Sequence, residues 1–143
     1  MAWTSVDGIS WDRAAAMQAA DDQAVIDAGL TEVAASDDRY VAAGGNWVLT
    51  STDGRTWARP TYLEGGWGSL ATIGDRFFAS TGYGVKVSSS SDGADWLAVE
   101  VDPWLPGTEV QEVRWRFAST QGIAVAVGSA WDESSTAMVS VGK

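Results

Sequence analysis

The sequence contains no cysteine and no histidine. Without cysteine there is no disulfide, no thiolate nucleophile and no cysteine-ligated metal site. Without histidine there is no Ser-His-Asp triad, no imidazole proton shuttle and no ordinary zinc site. We therefore expect no catalytic residues, no metal and no cofactor, and we predict that the protein is not an enzyme.

Positive charge is also scarce. Lysine and arginine together number 9 against 19 acidic residues, which gives a formal net charge of −10. This charge disfavours a nucleic-acid backbone or an anionic membrane surface as a partner. No apolar run approaches the roughly 18 residues that a membrane span needs, and the first residues lack the basic segment and apolar core of a signal peptide. We expect neither nucleic-acid binding nor membrane insertion, and the location of the protein stays open.

Tryptophan, by contrast, is abundant. The chain has 9 tryptophans among 143 residues, several times the usual share. With 45% hydrophobic and 20% charged residues, it has the composition of a folded chain rather than a disordered one, and its length is that of one domain. The tryptophans therefore need places in a folded structure.

One short motif occurs three times. The pattern S-x-D-G-x-x-W occupies residues 5–11, 51–57 and 90–96, which we call motifs 1, 2 and 3. Its serine and aspartate oxygens can accept hydrogen bonds from N–H groups of a turn. Its glycine can adopt positive φ without steric cost. Its tryptophan supplies apolar area at the start of a returning strand. The motif therefore predicts a hairpin turn between two β-strands.

The sequence before the motifs repeats as well. Residues 33–50 and 70–87 each read as strand, polar turn, strand, glycine-containing turn and strand, and a further copy begins at Phe117. Arg39 and Arg76 fall in equivalent first turns. We predict an all-β fold of four-stranded antiparallel units at about residues 30–59, 67–100 and 110–143. Residues 12–29 fit the repeat poorly and have the weak pattern of a short helix.

The motif resembles the Asp-box, or bacterial neuraminidase, repeat, shortened by the residue between aspartate and glycine. In that family the box lies between the third and fourth strands of a β-propeller blade. The resemblance implies a single propeller segment over residues 1–143 with about three blades, and residues 1–13 are expected to complete the last blade. Three blades are too few to close a ring, so we expect self-association, with a homodimer of about six blades. A truncated piece of a longer propeller is the alternative.

The resemblance also places several aromatic residues at the face opposite the motifs. Some follow the glycine that ends a second strand, and others lie in connections between blades. These candidate ligand-binding residues are Trp47, Tyr83, Trp131, Trp67 and Trp104. Aromatic rings at a surface stack on sugars or anchor a protein partner. The alternative is that the rings lie between blades as ordinary core, and this structural role is the one expected for the motif tryptophans.

Three functions remain open. The first is a non-catalytic interaction or structural module that assembles into a closed ring, and a surface component of a phage virion or tail is one setting for it. The second is a lectin-like, carbohydrate-binding module that uses Trp47, Tyr83 and Trp131. The third, a sialidase-like glycosidase fragment, is disfavoured, because none of the 7 arginines lies in the Arg-Ile-Pro setting typical of that family.

Overall fold

The computed structural model describes residues 3–13, 29–58, 60–81, 86–99, 112–120, 123–131 and 136–142. Within these segments every regular element is a β-strand, and every strand pair is antiparallel. The prediction of an all-β chain of antiparallel units is confirmed for this part of the molecule. The short helix predicted within residues 12–29 falls almost wholly outside the described residues.

The strands of the described segments form four sheets, which we call units 1 to 4. Unit 1 is the hairpin of β1 (Trp3–Thr4) and β2 (Asp12–Arg13). Unit 2 has the strand order β3-β4-β5-β6. Its strands are β3 (Glu32–Ala35), β4 (Tyr40–Gly44), β5 (Trp47–Ser51) and β6 (Thr61–Tyr62).

Units 3 and 4 follow with the same up-and-down connectivity. Unit 3 consists of β7 (Trp67–Ile73), β8 (Arg76–Thr81), β9 (Lys86–Ser90) and β10 (Leu97–Val99). Unit 4 has three strands, β11 (Glu112–Thr120), β12 (Ile123–Trp131) and β13 (Thr136–Gly142). Motifs 2 and 3 each connect the third strand of their unit to the fourth, as the hairpin prediction requires.

The turns between the first two strands differ in detail. In unit 2 the N–H of Ser36 donates to the Arg39 carbonyl at 2.8 Å and closes the turn. In unit 3 the two residues Gly74 and Asp75 make the connection, with Gly74 at φ +63°, a conformation that costs glycine no steric strain. Both turns bring an arginine to the start of the second strand.

The fourth strand of unit 2 begins later than the motif alone indicates. The N–H of Ala58 donates to the Thr50 carbonyl at 2.8 Å, so the chain starts to return directly after Trp57. Pro60 then has no N–H with which to continue the ladder. Regular pairing resumes with Thr61 opposite Val48.

The core is divided between the two faces of unit 2. Because successive side chains of a strand point to opposite faces, Val41 and Ala43 face unit 3, while Ala42 faces away from it. The first cluster joins units 2 and 3 and consists of Val41, Ala43, Val48, Leu70, Phe77 and Ala79. The second consists of Ala42, Leu49 and Trp57, with Leu30 and Trp47 against it. Unit 2 is thus apolar on both sides.

Neighbouring units meet through their first strands. β3 packs against β7, and β7 packs against β11. The same strand of each unit therefore contacts the same strand of the next, and units 2, 3 and 4 form a stack with a repeated step.

We expect Trp57→Ala to lower the free energy of unfolding by roughly 3–5 kcal/mol, since it empties the space of a buried aromatic side chain. The indole is 6% exposed and belongs to the second cluster. Urea unfolding measures the change. Leu97→Ala is the control, because Leu97 is exposed and its truncation is expected to cost less than about 0.5 kcal/mol. Equal losses in the two variants would contradict the burial of Trp57.

Candidate functional site

Each motif is held by the same hydrogen-bonded turn. In motif 2 the Ser51 hydroxyl donates to Asp53 Oδ1 at 3.0 Å and accepts the N–H of Gly54 at 2.8 Å. Asp53 Oδ1 also accepts the N–H groups of Arg55 and Thr56, both at 2.7 Å. One carboxylate oxygen and one hydroxyl therefore satisfy the backbone donors of the turn.

Motifs 1 and 3 repeat every one of these bonds. Around Asp7 the corresponding distances are 2.8–3.0 Å, and around Asp92 they are 2.7–3.0 Å. The motif glycines Gly8, Gly54 and Gly93 have φ of +72°, +68° and +74°, where a side chain would be strained. The turn chemistry predicted from the sequence is confirmed at all three positions.

The turn keeps its carboxylate ionised. N–H groups of Ser10 and Ile9 lower the pKa of Asp7 to about 2, and those of Thr56 and Arg55 lower the pKa of Asp53 to about 2. Hydrogen bonds from N–H groups favour the charged form of a carboxylic acid. A group so stabilised has no proton to donate near neutral pH. The motif aspartates are therefore suited to holding a turn rather than to acid catalysis.

The pKa of Asp92 is lowered in the same way. The N–H groups of Asp95 and Ala94 contribute most, and the charge of Arg39 adds to them. Arg39 belongs to unit 2, whereas Asp92 belongs to unit 3. The electrostatics of motif 3 therefore extend across the boundary between two units.

Motif 3 lies directly on unit 2. Arg39 Nη1 donates to the main-chain carbonyl of Asp92 at 2.9 Å. A Cβ built on Gly93 would collide with Val41 Cγ2 and would lie 3.0 Å from Thr50 Cγ2. Val41 and Thr50 stand directly opposite each other on β4 and β5. The glycine is needed both for its backbone conformation and for this close approach.

Motif 2 approaches unit 1 at the equivalent position. A Cβ built on Gly54 would lie 3.4 Å from Thr4 Cγ2. Thr4 directly precedes the serine of motif 1, just as Thr50 directly precedes the serine of motif 2. Each of these motifs therefore rests on the preceding unit. Sequence reasoning missed this contact, although the residue before each motif serine was an available signal.

Motif 1 has no such contact among the described residues. Nothing lies within 4 Å of a Cβ built on Gly8. Trp11 is 58% exposed, whereas its counterpart Trp57 is 6% exposed. The exposed apolar side chains at this hairpin, which we call the motif 1 surface, are Trp3, Val6, Ile9 and Trp11. Several large exposed apolar side chains on one hairpin are typical of a contact site.

Two of the predicted ligand-binding residues, Trp47 in unit 2 and Trp67 in unit 3, have backbones near the same turn of unit 2. Trp47 begins β5, is half-buried and packs edge-on against Tyr62, with ring centroids 5.1 Å apart. Trp67 begins β7 and packs against Trp96 at 4.9 Å. The N–H of Trp67 donates to the carbonyl of Gly45 at 2.8 Å, which brings its backbone beside the turn that precedes Trp47.

The rings of Trp47 and Trp67 nevertheless belong to different clusters. Trp47 packs on the face of unit 2 that carries Ala42, and Trp67 packs on the face that carries Val41. The sheet therefore separates the two rings. Tyr83 and Trp104 lie outside the described residues, and for Trp131 only the backbone at the end of β12 is described. A ligand-binding role for the five residues stays a prediction.

The described segments give little support to an arginine-based substrate site or to a metal site. Arg39 is engaged with motif 3, and Arg76 Nη2 donates to Ser89 Oγ at 3.4 Å. The described residues contain no group of three or more acidic side chains arranged to hold a metal ion. In the same part of the chain, no helix has both the length and the apolar character to cross a membrane.

No protein-family model, no curated protein and no solved structure matches the chain. We therefore infer function from two features of the structure. These are the repeated contact between a motif and the preceding unit, and the motif 1 surface.

The stability of the fold should fall in acid as the motif carboxylates become protonated. Because the folded pKa of Asp53 is about 2 against an ordinary value of 3.8, its contribution is complete above about pH 4 and is lost as the pH falls through about 2. We expect Asp53→Asn to weaken this dependence, since an amide keeps the acceptor oxygen and does not titrate. Urea unfolding at several values between pH 2 and pH 5 measures the slope.

Asp75→Asn is the matched control for this measurement. It makes the same change in net charge and leaves the three motif networks intact. Its stability is expected to keep the acid dependence that these networks produce. Identical slopes for Asp53→Asn and Asp75→Asn would contradict the role of the Asp53 carboxylate.

Proposed function

We propose that this protein is a non-catalytic assembly module, built of β-propeller blades, whose ring is completed by a second copy of the chain. The observation that carries this proposal is that the three motifs differ in their contacts with other units. Motifs 2 and 3 rest on a preceding unit, while motif 1 has the same turn and presents its glycine and tryptophan to solvent.

The shape and stacking of the units support an interpretation as blades. Units 2 and 3 are four-stranded antiparallel sheets with consecutive strand order, which is the blade architecture of propellers. Their first strands, together with that of unit 4, lie next to one another, as the innermost strands of successive blades do. The position of the motifs between third and fourth strands agrees with the Asp-box resemblance.

The incomplete units support head-to-tail association. Unit 4 has three strands, and the outer edge of β13 has no partner among the described residues. Among the described residues, unit 1 consists of the two strands that flank a motif, which correspond to the third and fourth strands of a blade. Motif 1 and β2 of a second copy therefore supply the turn and the fourth strand that unit 4 lacks among the described residues. A heterologous contact of this kind gives a closed ring when the rotation between copies permits it.

The state of the titratable groups favours assembly over catalysis. The motif aspartates are held as carboxylates by N–H groups, and Arg39 is bound to a main-chain carbonyl. These groups organise turns and contacts between units. None of them is left in the arrangement of an acid, a base or a substrate-binding cation.

Size-exclusion chromatography with light scattering tests this function. We expect a species of twice the chain mass of 15.1 kDa as protein concentration rises. Because each copy has a net charge of −10, added salt should strengthen association by screening repulsion. Trp11→Ser should weaken the dimer, because its counterpart Trp57 is buried, whereas Leu97→Ser, at an exposed position on unit 3, should leave it unchanged. A monomer at every concentration and salt level would overturn the proposal.

Carbohydrate binding is the second candidate function. The observation that favours it is the pair of Trp47 and Tyr62, whose rings meet at 76° beside the end of unit 2, with Tyr62 exposed. Exposed aromatic rings can stack on sugar faces. On a glycan array this function requires binding by the wild type and loss of that binding in Tyr62→Ala. An array on which the wild type binds nothing removes this candidate.

A further inference from the structure

We infer that motif 1 of one copy docks on unit 3 of another copy, at a site formed by Arg76, Phe78 and Ser89. The inference rests on the proposed self-association and names the contact through which the copies join. It follows from comparing the contact between motif 3 and unit 2 with the equivalent positions of the next unit.

The internal contact defines what a docking site for a motif contains. An arginine at the start of the second strand, Arg39, donates to the carbonyl of the motif aspartate. A pair of side chains opposite each other on the second and third strands, Val41 and Thr50, lies under the motif glycine. The glycine can approach this pair closely because it has no side chain.

Unit 3 carries the same three elements in the same register. Phe78 stands opposite Ser89 on β8 and β9, as Val41 stands opposite Thr50 in unit 2. Ser89 directly precedes the serine of motif 3, as Thr50 precedes that of motif 2. Arg76 begins the second strand of unit 3, two residues before Phe78, as Arg39 lies two residues before Val41.

The stacking of the units places this site beside unit 4. Unit 4 packs against unit 3 through β11 and β7, as unit 3 packs against unit 2 through β7 and β3. Within unit 4, Gly142 stands opposite Ala124, the register position of Thr50 and Val41. A motif that continues from this position lies over Phe78 and Ser89. Motif 1 of a second copy reaches the position when Thr4, which directly precedes it, takes the place of Gly142.

Arg76 and motif 1 are exposed in the single chain, whereas Phe78 is half-buried and Ser89 is buried. The guanidinium of Arg76 is exposed, and its bond to Ser89 Oγ is long, at 3.4 Å. On the other side, nothing lies within 4 Å of a Cβ built on Gly8, and Trp11 is exposed. In the docked state Arg76 donates to the main-chain carbonyl of Asp7, and Trp11 becomes buried as Trp57 is.

Cysteine cross-linking tests the site directly, because the chain has no cysteine of its own. A Cβ built on Gly93 lies 3.7 Å from Val41 Cβ, a separation that a disulfide can bridge. Under oxidising conditions a mixture of Gly8→Cys and Phe78→Cys chains should therefore form a disulfide-linked dimer. The doubly substituted Val41→Cys/Gly93→Cys chain, which should close its disulfide internally, is the positive control.

The negative control uses the opposite end of the same sheet. Lys86 lies at the start of β9, opposite Thr81 and away from the proposed site. A mixture of Gly8→Cys and Lys86→Cys chains should give no linked dimer. Equal cross-linking in the two mixtures would overturn the site.

A second measurement leaves motif 1 unchanged. We expect Arg76→Ala to weaken association by at least about tenfold, through loss of a charge-assisted hydrogen bond, and to leave the unfolding of the monomer unchanged. Arg39→Ala, at the internal contact, should lower the free energy of unfolding of the monomer and leave association unchanged. If the wild type does not associate, both the proposed function and this site fail. If it associates, but Arg76→Ala associates as well as the wild type and Gly8→Cys does not link to Phe78→Cys, the site alone is wrong.

Discussion

The close approach of a motif glycine to the preceding unit is the contact on which the rest of this structure depends. It requires a turn that holds glycine at positive φ, which the hydrogen bonds from the serine and aspartate side chains provide. It also requires the absence of a side chain, because a Cβ on Gly93 would collide with Val41. The same turn directs the tryptophan that ends the motif into a cluster with its neighbours. A local hydrogen-bond pattern thus contributes to the stacking of neighbouring sheets, beside the contact between their first strands.

In such a stack each unit gains stability from the units on either side, and terminal units lack one neighbour. Unit 2 has apolar clusters on both faces, and its motif tryptophan, Trp57, is buried. Unit 1 carries the same motif, with Trp11 and Ile9 in solvent. Gly8 and Trp11 therefore lack, among the described residues, the surroundings that Gly54 and Trp57 have. Self-association would bury these two residues through the kind of contact that motifs 2 and 3 already make within the chain.

The sequence predicts those features that depend on residues close together in the chain. The hairpins at the motifs, the all-β class and the polar turns follow from local turn chemistry. The late start of β6 depends on one residue, Pro60, whose missing N–H interrupts a ladder. The separation of Trp47 from Trp67 depends on strand register, since a shift of one residue moves a side chain to the other face. The bond from Arg39 to Asp92 joins positions 53 residues apart, and no local pattern contains it.

The most direct test is hydrogen–deuterium exchange, measured by mass spectrometry over a range of protein concentrations. It shows whether the contact that a motif makes with the preceding unit within the chain also forms between copies. We expect exchange to slow with rising concentration in peptides covering residues 5–11 and 76–80. Exchange in the peptide covering residues 51–57 should stay the same, because motif 2 already rests on unit 1. Exchange that is independent of concentration in all three peptides would contradict a contact of this kind between copies.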